Sequence, residues 1–138
     1  MPRTTFDITC IQQMNLFSRI TGVRAKNCFN YSNSILFVVD PFFLNKALGN
    51  QGENVRKLEY SFKKRVRIIR APNDDVERFI QVIIYPIKYK KFTNEDGNII
   101  INAAQQSKAS LIGRDHSRLI QLTDIVKQYF DIKGIRIV

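Results

Sequence analysis

Two glycines bracket two uncharged polar residues in the run NKALGNQGENVRKLE, residues 45–59, with an apolar, helix-like stretch on either side. Two readings fit. One is a plain corner between helices. The other is a tight loop that admits a sugar-phosphate backbone. Glycine has no Cβ, so another chain can come close to Gly49 and Gly52. The helix that follows would begin with unpaired N–H groups, from about Gly52 to Val55, and a positive dipole end, both attractive to phosphate. Asn50 and Gln51 add neutral donors and acceptors. Lys46, Arg56, Lys57 and Lys64 supply nearby charge, and Leu48 and Val55 an apolar surface for bases. GxxG alone is a weak pattern. Its weight here comes from what surrounds it.

The elements around the loop follow from periodicity and punctuation. Residues 5–21 read as a helix, with Ile8, Ile11, Leu16 and Ile20 near one face and Gly22 at its end. VRAKNCFNY and SILFVVD read as paired strands across a turn-rich NYSNS. Asp40-Pro41 starts a short helix, PFFLNKAL, with Asp40 as N-cap. A second helix, ENVRKLEYSFKK, follows the loop, with Val55, Leu58 and Phe62 on one face; RVRIIR is a strand. The order αββααβ then repeats. Asn73 or Asp74 caps DVERFIQVIIY, which Pro86 ends. IKYKKFT and NIIINAAQ form a hairpin across NEDG. QSKASLI is a short helix, GRDH the interruption, SRLIQLTDIVKQYF the longer helix and KGIRIV the last strand. Gly113 lies 64 positions after Gly49, and Val55, Leu58 and Phe62 map at that offset onto Leu119, Leu122 and Val126. The chain reads as two copies of one α/β (α+β) unit, 1–72 and 73–138, each with a three-stranded mixed sheet on helices. The join at RAPNDD is too short for a free linker, so the halves are expected to pack together.

Composition narrows the partner. The 138 residues carry a formal net charge of +10 and are 44% hydrophobic, enough for a packed core. That balance favours a polyanion: RNA, DNA or an anionic membrane surface. The cations cluster, in KKRVRIIR (63–70) and KYKK (88–91). In the first of these, alternation puts Val66 and Ile68 on one face and Arg65, Arg67 and Ile69 on the other. The sequence does not say which face meets a ligand. No apolar run approaches the roughly 20 residues that span a bilayer, and the N-terminus lacks an apolar signal region. Cys10 and Cys28 form no CxxC and His116 is the lone histidine, so two reduced thiols in a cytosolic protein are expected rather than a zinc site.

Other residues with chemical potential are weighed the same way. Lys108, Arg114, His116 and Arg118 line the second loop; Arg114 would reach a phosphate and Asp115 oppose one. His116 fits three roles: a helix-start residue without ligand, a modified nucleic-acid contact, or a catalytic or metal residue. The last lacks any partner nearby. Tyr85, Tyr89, Phe92, Phe29 and Tyr31 could stack bases but are read as packing residues, as are Phe42 and Phe43. No P-loop, GxSxG, HExxH or Rossmann fingerprint occurs, and the acidic pairs at 74–75 and 95–96 fit a helix start and a turn. No enzyme, cofactor or small-molecule substrate is expected.

ALGNQGENVRKLEYSFKKRVRII resembles the KH motif of RNA-binding proteins: an apolar residue, GxxG, then a helix leading to a strand. The αββααβ order resembles the type II KH fold, and two such units in a short basic chain resemble the archaeal NusA-like transcription termination and elongation factors. The resemblance covers residues 5 to 138. The second unit departs from it, with His116 in place of the second glycine. The resemblance implies a groove for about four nucleotides of single-stranded RNA. One wall would be the short helix and loop; the floor would be the following helix and strand. It also implies a cytoplasmic role on the nascent transcript, with RNA polymerase as a protein partner. The alternatives are a ribosome-associated or ribosome-assembly protein that binds structured rRNA, and an interaction module whose units have lost RNA binding.

Overall fold

The computed structural model describes residues 8–138, which divide into two compact units, one ending at Ala71 and one starting at Pro72. The start of the first expected helix, residues 5–7, lies outside the described residues. In the first unit α1 (Ile8–Thr21) is followed by β1 (Asn27–Tyr31), β2 (Ser34–Val39), a 3-10 turn (Pro41–Phe43), α2 (Leu44–Leu48), α3 (Glu53–Phe62) and β3 (Arg65–Arg70). β1 and β2 are antiparallel and β3 joins parallel to β2, so β2 is central. The second unit repeats this with α4 (Val76–Ile84), β4 (Lys91–Glu95), β5 (Asn98–Asn102), α5 (Gln105–Ile112), α6 (Ser117–Lys127) and β6 (Gly134–Ile137). Its sheet has the same order and directions.

The core of the first unit is aromatic and aliphatic. Phe17 of α1 stacks on Phe37 of β2 with ring centroids 4.4 Å apart, and Phe62 closes on Phe37 at 5.9 Å. Ile35, Val39, Leu58 and Val66 complete it. Each such side chain stabilises the fold by about 1.5–3 kcal/mol when fully buried. The stripe of α1 that enters this core is Cys10, Met14, Phe17 and Thr21, at spacings of four, three and four. The face predicted from sequence is only partly right: Ile8 and Ile11 are exposed, whereas Ile20 packs against the core. The second unit buries Ile80, Ile83 and Ile84 of α4, Ile99 and Ile101 of β5, and Leu111 and Leu122. Phe79 meets Tyr129 and Phe130 edgewise and tilted.

Local chemistry sets the boundaries. Asp40 caps the turn before α2, its carboxylate accepting from the Phe42 N–H at 2.9 Å. α4 is capped by Asp75, which accepts from the Arg78 N–H at 3.1 Å, one residue later than expected. Asn73 instead accepts from the Asp75 N–H. Residues 23–26, predicted as strand, precede β1 as irregular chain, and 87–90 likewise precede β4. Ser32 and Asn33 both take positive φ, 52° and 62°, in the two-residue β1–β2 turn. Cys10 and Cys28 are not joined in a disulfide; the Cys10 thiol donates to the Cys28 carbonyl at 3.6 Å and the Cys28 thiol to Gln13 Oε1 at 3.2 Å.

Tyr89 is held against α4: its hydroxyl donates to Glu77 and accepts from Gln81 at 2.8 Å. Burial, then the hydrogen bond to Glu77, pushes its pKa up to about 12. Any stability from this shift is therefore complete below the ordinary tyrosine value of about 10 and is lost as pH rises through about 12. Glu77→Gln should lower the Tyr89 titration, yet leave it above the ordinary value because burial remains. A spectrophotometric phenolate titration of the two proteins checks this, and an unchanged titration would mean Glu77 is not its partner.

Candidate nucleic-acid interface

Both loops turn on the same backbone. Gly49 has φ 78° and ψ −177°, Gln51 φ 53° and ψ 34°, and Gly52 φ 73° and ψ 20°. Their counterparts 64 residues on are Gly113 at 76° and 175°, Asp115 at 54° and 32°, and His116 at 62° and 18°. The Gly52 N–H bonds to the Gly49 carbonyl at 3.3 Å, as the His116 N–H does to Gly113. The next N–H, of Glu53, bonds to the Asn50 carbonyl. Two of the N–H groups expected to be open to phosphate are thus engaged inside the loop. No side chain caps α3.

The glycines of the first loop have different jobs. A Cβ on Gly49 would lie 2.9 Å from the Asn54 side chain. A Cβ on Gly52 would meet nothing within 4 Å. Gly49 is required by the protein's own packing, whereas the space over Gly52 is open to a ligand. In the second unit the His116 side chain departs from that position.

Two residues one repeat apart, the first not anticipated from the sequence, hold the loops in place. Asn54, buried at the start of α3, donates through Nδ2 to the carbonyls of Ala47 at 3.1 Å and Lys46 at 3.4 Å. It thereby ties the end of α2 to α3 across the loop. Arg118 stands 64 residues later and donates through Nη1 to the Ser110 carbonyl at 3.0 Å. Arg118, an expected nucleic-acid contact, is half-buried with its Nη1 bonded to the backbone. The signal available in sequence was that both positions, one repeat apart, carry side-chain N–H donors, short in Asn54 and long in Arg118. Arg56, another expected contact, donates from Nη1 to the Gln51 carbonyl at 2.9 Å and so braces the loop while staying exposed.

The remaining candidates separate by position. Lys46, Asn50, Gln51 and Lys57 are exposed on or beside the loop, and Leu48 and Val55 are half-buried there. Ile68 packs with Val66 against the helical core, on the face that carries the loop. Arg65 and Arg67 alternate to the other face of β3, away from the loop. Lys64 is exposed just before β3. In the second unit Arg114 and His116 are exposed, but Lys108 aligns with Leu44 rather than Lys46 and sits half-buried further back on α5. Lys46, Arg56, Lys57 and Lys64 have Ser110, Ile120, Gln121 and Gln128 as counterparts. The charge follows: residues 1–71 hold twelve Lys and Arg against four Asp and Glu, a net of +8, and residues 72–138 hold ten against eight, a net of +2.

Among the aromatics, Tyr89 and Phe92 pack against each other and Tyr31 is buried, but Tyr85 is exposed. Phe42 and Phe43 depart from the packing expected of them: they form an edge-to-face pair on the surface at the start of α2. Among the described residues no helix is long and apolar enough to cross a membrane, and no group of three His, Cys, Asp or Glu could hold a metal ion.

No protein-family model matches the chain. Relatives do. The probable transcription termination protein NusA of Methanococcus vannielii is 27% identical over 133 residues, 93% of this chain and 76% of its own. That of Methanocaldococcus jannaschii is 26% identical over 93% of this chain and 72% of its own. That of Halococcus morrhuae is 25% identical over 98% and 99%. Among solved structures, the crystal structure of APE1850 superposes with a TM-score of 0.63 at 19% identity, covering 96% of this chain and 100% of that one. The chain is NusA-like, and its two mixed three-stranded sheets with six helices fit KH-like folds.

Proposed function

We propose that this NusA-like chain is a pair of type II KH domains that binds single-stranded RNA through the first unit and acts on the nascent transcript in elongation or termination. RNA polymerase is its expected protein partner. The observation that carries the reading is the loop at 49–52. Its backbone is held by Asn54 and Arg56, the space over Gly52 is open, and the unit around it carries +8. A phosphodiester can lie against Gly52 while Lys46 and Lys57 supply charge, and Leu48, Val55 and Ile68 offer bases an apolar wall. Backbone contacts dominate such a groove, so sequence preference is modest. No step calls for a cofactor.

The second unit keeps the geometry without the chemistry. Its loop has an imidazole where the strand would lie, a carboxylate at Asp115 and neutral side chains at the positions of Lys46, Lys57 and Lys64. It serves as scaffold or as a surface for proteins.

The test is salt-dependent titration of a single-stranded RNA. Each lost phosphate contact lowers the slope of log K against log salt by roughly 0.7. Lys46→Gln with Lys57→Gln should flatten the slope by about twice that amount, and Lys127→Gln with Lys133→Gln should leave it near wild type. Equal effects from both pairs would mean that charge alone, without the first loop, holds the RNA.

A further inference from the structure

The outer face of α3 holds a feature that the second unit lacks. Arg56, Lys57 and Tyr60 lie three and four residues apart, and so on one side of the helix. With Ile20 of α1, Glu53 and Ser61 they line an open depression of about 600 Å³. Tyr60 is 85% exposed, although an aromatic ring on a helix surface ordinarily packs. Its neighbour Arg56 is bonded to the loop carbonyl of Gln51, so this face is continuous with the loop. Lys46 of α2 reaches the end of α1, where its Cε would lie 3.6 Å from a Cβ on Gly22. At the equivalent positions the second unit has Ile120, Gln121 and Asp124, which would neither hold a phosphate nor stack a base.

We infer that this depression is a second RNA subsite, in which Tyr60 stacks a base of the strand leaving the loop and Lys57 meets its phosphate. The inference rests on the RNA reading above. Tyr60 lies eight residues beyond Gly52, roughly 12 Å along the helix, so nucleotides flanking the clamped segment reach it and the clamped ones do not. A ring beside two cations suits this role, because stacking accepts any base and the cations neutralise the backbone. Glu53 at the rim keeps the phosphate toward Lys57.

The chain contains no tryptophan, so Tyr60→Trp places a single reporter in the depression. Its fluorescence should be quenched by a single-stranded octanucleotide and not by a tetranucleotide that only fills the loop groove. Tyr60→Ala should weaken octanucleotide binding roughly tenfold, leave the tetranucleotide unchanged, and be rescued by Tyr60→Phe. An octanucleotide that binds wild type and Tyr60→Ala equally, without quenching the tryptophan, overturns the subsite and leaves the loop reading standing. A wild type that binds neither oligonucleotide overturns both.

Discussion

Asn50→Asp with Gln51→Asp is expected to weaken single-stranded RNA binding roughly thirty-fold at low salt while leaving the melting temperature near wild type. Each new carboxylate would oppose a phosphate at about 4 Å, worth about 1 kcal/mol in water, and about 2 kcal/mol together is roughly a thirty-fold change. The loss should shrink as salt rises, because these charges are solvent-exposed. The fold should tolerate the change for a reason visible in the same molecule. Gln51 sits at φ 53°, ψ 34°, and its counterpart at φ 54°, ψ 32° is already an aspartate, Asp115. Asp and Asn adopt this left-handed conformation more readily than most residues. Oligonucleotide titration with circular dichroism and thermal melting checks both halves of the expectation. Wild-type affinity in the double mutant would reduce the loop to a corner and move the search to the strand cations.

Much of this arrangement is legible in the sequence, and the illegible parts have identifiable causes. The 64-residue repeat, the loop and the helices on either side are readable because glycines at 49, 52 and 113 interrupt strong helical periodicity. The position of Leu58 and Leu122 in the two cores follows from the same periodicity. Part of the α1 face does not, because its core stripe uses cysteine, methionine and threonine beside Phe17 while the more hydrophobic Ile8 and Ile11 point outward. The cap of α4, read as Asn73 or Asp74, falls on Asp75 because neighbouring polar residues can each accept a backbone N–H and sequence alone does not set the register. Asn54 and Arg118 could not be read as braces, since their carbonyl partners seven or eight residues earlier come near only once the loop has turned. The exposure of Phe42 and Phe43 is likewise a tertiary fact, which hydrophobicity alone assigns to the interior.

Substituting alanine at the two glycines of the first loop should separate folding from binding. Gly49→Ala is expected to destabilise the protein by about 2–4 kcal/mol. Its φ of 78° with ψ of −177° lies in a region essentially reserved for glycine, at about 1–3 kcal/mol for any other residue. Its Cβ would also press at 2.9 Å on Asn54, which cannot withdraw without releasing the carbonyls of Lys46 and Ala47. Each bond so lost removes about 1 kcal/mol. The melting temperature should fall by roughly 10 °C or more. Gly52→Ala meets no neighbour within 4 Å and needs only the left-handed conformation, at about 1 kcal/mol. His116 shows that a side chain fits the same backbone. Stability should therefore change little, while RNA affinity falls about tenfold, because the new methyl stands where a sugar-phosphate must approach. Gly52→His, which copies the second unit, should lower affinity further with the same small effect on melting. Thermal melting and oligonucleotide titration on the three variants decide it. If Gly52→Ala binds RNA as wild type does, the open space over Gly52 is not where the strand lies. If it melts as early as Gly49→Ala, the two glycines share one structural role, and the loop loses the asymmetry on which the binding argument depends.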